Sequence, residues 1–177
     1  MKTSTDHQIF TIGHSTHTFA EFLSMLKSFD IEVLADIRHY PGSARYPQFN
    51  KDTLSETLEQ NGIEYIHIVD LGGRRKIHKD SPNTRWHKDV FRAYADYMAT
   101  ESFFNGIKAL KAIALKKRTA IMCSEAVWWR CHRSLVSDYL KAEGWDVQHI
   151  MGQGKSEAHP YTQAARIVGN KVFYTEA

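Results

Sequence analysis

Short apolar runs alternate along this chain with stretches whose apolar residues recur every three or four positions. The runs Gln8 to Ile12, Ile31 to Ile37, Ile63 to Val69, Thr119 to Cys123 and Trp145 to Ile150 are rich in β-branched and aromatic residues and read as strands. Between the first two, Phe22, Leu26 and Phe29 form a helical stripe, with Leu23 and Met25 beside it. Thr18 and Glu21 stand before it at capping-box spacing: the hydroxyl accepts from the N3 amide and the carboxylate reaches back. A second helix carries Leu54 and Leu58, with Asn50 at its start and Asn61-Gly62 as its stop. Trp86, Val90, Phe91, Tyr94 and Met98 mark a third helix. Ser102 to Lys117 is a fourth, with Phe103, Ile107, Leu110 and Ala114 on one face and a Lys116-Lys117 end that suits the helix dipole. Trp128, Cys131, Leu135 and Tyr139 mark a fifth, stopped at Gly144. Arg38 to Phe49 holds two prolines, a glycine and two arginines and is a loop, while Lys171 to Tyr174 closes a polar tail as a short extra strand.

Strand and helix in this alternation predict a single three-layer α/β/α domain over residues 1–177. Its sheet is mostly parallel, of about five strands, Rossmann-like, with a basic helical insertion after the third strand. A chain of 177 residues, 42% hydrophobic and 12% aromatic, has material for one core rather than two and is not disordered. No apolar run approaches the ~20 residues of a membrane span, and the polar start, Met1 to Phe10, has no apolar segment of signal-peptide type. Two cysteines make no disulfide framework, so a reducing cytoplasm is the expected compartment. The net charge of +3 permits an anionic small molecule or nucleic acid as partner without requiring one, and neither cofactor nor oligomeric state follows from the sequence.

In open parallel sheets, ligands bind beyond the carboxyl ends of the strands. At those ends stand Gly13-His14-Ser15, Asp36-Ile37-Arg38 with Pro41-Gly42-Ser43, Asp70 with Gly72-Gly73-Arg74-Arg75, Cys123-Ser124-Glu125, and Gly152-Gln153-Gly154-Lys155. A thiol, carboxylates, a histidine and several arginines therefore converge if the fold is right.

The stretches Thr11 to Ser15, Asp36 to Arg38 with Pro41 and Ser43, Leu71 to Gly73, Tyr94 to Met98, Cys123-Ser124-Glu125 with Cys131 to Ser134, and His159 to Thr162 with Ala165-Arg166 follow one another in order. In them the chain resembles the family catalogued as domain of unknown function 488 over nearly its whole length, with Trp128 where a proline often stands. The resemblance implies an α/β domain and no settled reaction.

Each candidate carries a chemical and a structural reading. Cys123 ends a strand just ahead of a helix, with Arg130 and Arg133 near in sequence. It is a nucleophilic or redox thiol, or a small buried hydrophobe. Glu125 is a general base, a nucleophile or a hydroxyl-binding group for a sugar, or a charge at a helix start. Cys131 lies on the apolar stripe and is read as core. His132 reaches the pocket or is a satisfied helix histidine, and Arg133 binds an anion or forms a salt bridge. His14 and Ser15 offer donors to a ligand, or Ser15 bonds its own turn. Asp36 and Arg38 pair, or divide between ligand and scaffold. Gly72 and Gly73, ahead of Arg74, admit a close ligand or a positive φ. Zinc on Cys123, Cys131, His132 and His14 is disfavoured, because adjacent positions on a helix diverge and no close cysteine pair exists. A phosphatase loop is excluded: six residues, two of them tryptophans, separate Cys123 from Arg130, and the cradling glycines are missing.

The basic stretch of Arg74, Arg75, Lys76, Lys79, Arg85, Lys88 and Arg92, interleaved with Trp86 and His87, fits single-stranded nucleic acid or nucleotides, or is a solvated face with Trp86 in the core. His159-Pro160 folds the tail over the pocket or is only a turn. The expected function is an enzyme, a hydrolase or glycosyl-type transferase, acting on a nucleotide, a nucleic-acid component or another phosphorylated metabolite. Cys123 or Glu125 is its nucleophile or base, with Asp36 and His14 beside them and Arg38, Arg130 and Arg133 on the anion. The alternatives are a nucleic-acid-binding module without chemistry and a thiol-based redox or regulatory protein.

Overall fold

Successive strand residues point to opposite faces of a sheet, and here each face builds its own core. The computed structural model describes residues 7–177, so the first six positions of the polar start lie outside the described residues. Strands β1 (Gln8–Gly13), β2 (Val33–Asp36), β3 (Glu64–His67), β4 (Thr119–Cys123) and β5 (Asp146–Gly152) are parallel neighbours in the order β3-β2-β4-β1-β5. A sixth strand, β6 (Lys155–Ala158), pairs antiparallel with β5, so the sheet of about five strands is a mostly parallel sheet of six. Phe10, Ile12, Leu34, Ala120 and Met122 pack with Phe22 and Leu26 of α1 (Phe19–Lys27) and Leu54 and Leu58 of α2 (Lys51–Gln60). The alternate positions Ile9, Ala35, Ile121 and Val147 pack with α3 (Asp89–Tyr97), α4 (Glu101–Lys116) and α5 (Arg133–Ala142).

This order places β4 between β1 and β2. The chain leaves β1 and β2 towards α1 and α2 on one face, and leaves β4 towards α5 on the other. The loops after β4 and after its two neighbours therefore diverge, which opens a crevice at the carboxyl ends of the strands.

Local chemistry explains where elements start and stop. Thr18 and Glu21 form the expected capping box at α1, with bonds of 3.1 and 3.2 Å. Asn50 holds the N-cap position of α2, but its side chain accepts from the Ser43 amide instead and so pins the Arg38–Phe49 loop. Trp86 lies outside α3, whose first residue, Asp89, complements the positive pole of the helix. Val90, expected on the buried stripe, is exposed. The fifth helix starts only at Arg133, after a 3₁₀ turn at Trp128–Arg130. Trp128 makes its apolar contact by stacking on His149 at 4.8 Å, not through a helical stripe. The tail forms a hairpin of β7 (Arg166–Val168) and β8 (Lys171–Phe173) around Gly169, whose φ is 60°. Among the described residues no helix is long and apolar enough to cross a membrane.

Candidate functional site

The crevice is a cavity of about 940 Å³. The loop after β1 supplies His14 and Ser15 to its wall, the loop after β2 supplies Arg38, and the loop after β3 supplies Gly73 and Arg74. The segment after β4 adds Glu125, Arg130 and His132 beside Cys123. Three expected residues are not on the wall: Asp36, Gly72 and Arg133. Several that were not expected at the site are: Tyr40, Arg45, Tyr46, Val90, Phe91, Tyr94 and Trp129. Arg45 carried a signal in the arginine-bearing loop after β2, and Trp129 carried one as an aromatic beside Arg130 in an irregular segment.

Asp36 and Arg38 form a pair rather than dividing between ligand and scaffold. Arg38 Nε and Nη2 donate to the Asp36 carboxylate at 2.7 to 3.2 Å, and Nη2 also donates to the Phe49 carbonyl at 2.8 Å. The Tyr65 hydroxyl donates to the same carboxylate at 2.5 Å, and burial next to that anion raises the Tyr65 pKa. Asp36, completely buried, thus fixes the guanidinium plane that Arg38 presents at the cavity.

The two histidines on the wall are set by carbonyl partners. A carbonyl only accepts, so His14 donates from Nδ1 to the Ser15 carbonyl at 2.9 Å, which leaves Nε2 as the basic nitrogen. His14 stacks on Phe49 at 4.4 Å, and burial, the largest cause, lowers its pKa to about 4. His132 donates from Nε2 to the Ile37 carbonyl at 2.8 Å. Burial lowers its pKa to about 4 as well. Its Nδ1 lies 3.0 Å from where a Cβ on Gly73 would stand, so Gly73 is needed for the close approach of this ring. Gly72 answers a similar constraint, since a Cβ there would meet the His39 backbone at 2.8 Å.

The segment after β4 departs most from expectation. Cys123 is joined to Cys131 in a disulfide, and no cysteine is free. Cys123, expected as a reactive thiol or a small buried hydrophobe, and Cys131, expected as core packing, instead join their sulfurs and clasp the ends of the 124–130 segment. Among the described residues Arg133 makes no ion pair, and it does not line the cavity. It is 1% exposed and donates from Nη2 to the carbonyls of Glu125 and Ala126, at 3.1 Å each. Burial brings its pKa down to about 10, which leaves it cationic at neutral pH. Glu125 is exposed at the mouth of the cavity.

Of the basic stretch, three arginines hold backbone. Arg85 donates to the Ala164 carbonyl at 2.7 Å, Arg92 to that of Trp86 at 3.0 Å and Arg75 to that of Gly72 at 3.0 Å. Arg75 also lies 3.6 Å over the Tyr97 ring. Lys76, Lys79, His87 and Lys88 are exposed, and Trp86 is half-buried against Phe91 and Tyr174.

A buried polar chain runs behind the site. Thr11 Oγ1 meets His149 Nδ1 at 2.5 Å, His149 Nε2 meets His159 Nδ1 at 2.8 Å, and His159 Nε2 meets Asp138 at 2.8 Å. The carboxylate only accepts, so His159 donates from Nε2 to Asp138. Asp138 also accepts from Thr162 and from the Tyr174 hydroxyl. His159 therefore ties the tail to α5. The signals in the sequence were a histidine inside the strand run Trp145 to Ile150 and an aspartate on the buried side of the fifth helix.

Fold and cavity together define an α/β protein with an arginine-bearing crevice at the carboxyl ends of its parallel strands. Residues 18–140 match the family model described as Domain of unknown function DUF488, and the chain belongs to that family. The matched span contains the Cys123–Cys131 segment and stops short of Thr11 to Ser15 and of the tail. No curated protein matches the chain, and no solved structure does.

Proposed function

We propose that the chain is an enzyme on a three-layer, Rossmann-like frame. It acts as a hydrolase or glycosyl-type transferase on a nucleotide, a nucleic-acid component or another phosphorylated metabolite. The observation that supports this is the charge of the cavity. Arg45, Arg74 and Arg130 line it without an ion-pair partner among the described residues, and Glu125 is its only lining carboxylate. Arg38 is already matched by Asp36. A cleft with that excess attracts and holds a phosphorylated group.

Glu125 at the mouth is the base or nucleophile. His14, neutral at pH 7 with Nε2 unprotonated, takes a proton from the substrate or from water. With Cys123 bonded to Cys131, the sulfur offers no thiolate in this state, so the nucleophilic role passes to Glu125. The test is a nucleotide and phosphoester panel assayed with Glu125→Gln and His14→Asn. A loss of about 10²-fold or more in kcat is expected for each. Wild-type rates from both variants overturn the catalytic assignment.

The joined sulfurs favour a second function, thiol–disulfide exchange at the cavity wall. A substrate thiolate attacks one sulfur, a mixed disulfide forms, and the other sulfur leaves as thiolate. After reduction, alkylation rates measured against pH decide it: cysteines inert across the neutral range remove it.

A further inference from the structure

The turn after β4 is held from beneath. Arg133 draws the carbonyls of Glu125 and Ala126 inward with one Nη2, at 3.1 Å to each. Gly13 leaves room for this, since a Cβ on it would stand 1.7 Å from the Glu125 carbonyl oxygen. In a trans peptide the N–H points opposite to the preceding C=O. Two carbonyls turned towards Arg133 therefore turn the N–H groups of Ala126 and Val127 away from it, and both residues line the cavity. Neither N–H donates to a protein acceptor among the described residues. Nε and Nη1 of Arg133 have no partner either, so a whole buried positive charge lies directly under the turn.

We propose that Glu125 to Val127 form a backbone cradle for one tetrahedral oxyanion, the phosphoryl group of the substrate, with Arg133 as its positioning residue. Successive outward backbone N–H groups are a recurrent means of holding phosphate oxygens, and a buried cation beneath them adds to the attraction. Arg130 and Arg74, on the wall of the same cavity, close over the bound group. The cradle rests on the phosphorylated-substrate function proposed above and states where the phosphoryl group sits. It also assigns Arg133 a role other than ligand or salt bridge: it acts through the two peptides it holds.

The test is a titration of the ¹⁵N-labelled full chain with inorganic phosphate, followed at the Ala126 and Val127 amides. Saturable shifts of both amides are expected. Arg133→Lys keeps the charge but replaces the planar guanidinium, whose Nη2 reaches both carbonyls, with an ammonium on a shorter stem, and lowers phosphate affinity by about tenfold or more. Its melting temperature, taken in parallel, establishes that the variant is folded. Arg130→Ala weakens phosphate binding while the two amides still respond. If phosphate binds and leaves those amides unmoved, or binds a folded Arg133→Lys as tightly as wild type, the cradle is wrong and the phosphorylated-substrate function stands. If phosphate at tens of millimolar (~50 mM, a weak-binding ceiling) produces no shift anywhere in the cavity, both fall.

Discussion

His14, His132 and His149 are all neutral at pH 7, because burial makes the charged imidazole costly. Their pKa values fall from 6.5 to about 4, about 4 and about 2. The unfolded chain takes up these protons near pH 6.5 and the folded chain does so only at lower pH. The stability they contribute is therefore complete above pH 6.5 and is lost as the pH falls towards 4. At about 1.4 kcal/mol per pH unit per group, the loss reaches several kcal/mol. Denaturant midpoints measured from pH 7 to pH 4.5 should fall steadily; a flat profile contradicts neutral burial of these rings. Asp36→Ala belongs to the same scale. It leaves Arg38 buried without its carboxylate, at a cost of about 3–5 kcal/mol in unfolding experiments. That these residues share a rim was legible from their places after strands. Which of them face the cavity was not: Asp36 and Arg38 are two residues apart, and only the carbonyl of Phe49 and the hydroxyl of Tyr65 settle which one faces it.

The segment from Cys123 to Arg133 shows how far periodicity reaches at the scale of an element. Trp128, Cys131 and Leu135 have helical spacing, yet the first two are buried by other means: a stack on His149 and a bond to Cys123. Spacing reports burial, and burial here is not helical until Arg133. The β6 strand was missed for the converse reason, since all four of its residues are exposed and it has no apolar face to read. The disulfide closes a short loop of sequence separation 8. Loop-closure entropy gives it a stabilisation of about 2–3 kcal/mol. The urea midpoint should drop accordingly in Cys131→Ser or on reduction, and equal midpoints with and without reductant contradict the clasp. Gly13→Ala should disturb the same segment, because the added Cβ falls on the Glu125 carbonyl. A lower melting temperature is expected from it.

Across the whole molecule, the alternation of strands and helices predicted a mostly parallel sheet, and that is what the chain forms. The order of the strands was not legible, because five similar apolar runs carry no mark of which neighbour each will take. The position of β4 between β1 and β2 is nevertheless what brings His14, Arg38 and Glu125 to one cavity. The tail is secured at the same scale by Asp138, which accepts from His159, Thr162 and Tyr174. Asp138→Ala strands those donors in the core and should lower stability by about 3 kcal/mol or more, read as a fall in melting temperature. On the proposed function, the cavity is the place where a phosphorylated group binds. Calorimetric titration of a nucleoside 5′-monophosphate into the wild-type chain and into Arg74→Ala/Arg130→Ala tests it most directly. Saturable binding by the wild type, weakened by about tenfold or more in the double variant, is the predicted result. No heat of binding, or equal affinity in the two proteins, contradicts it.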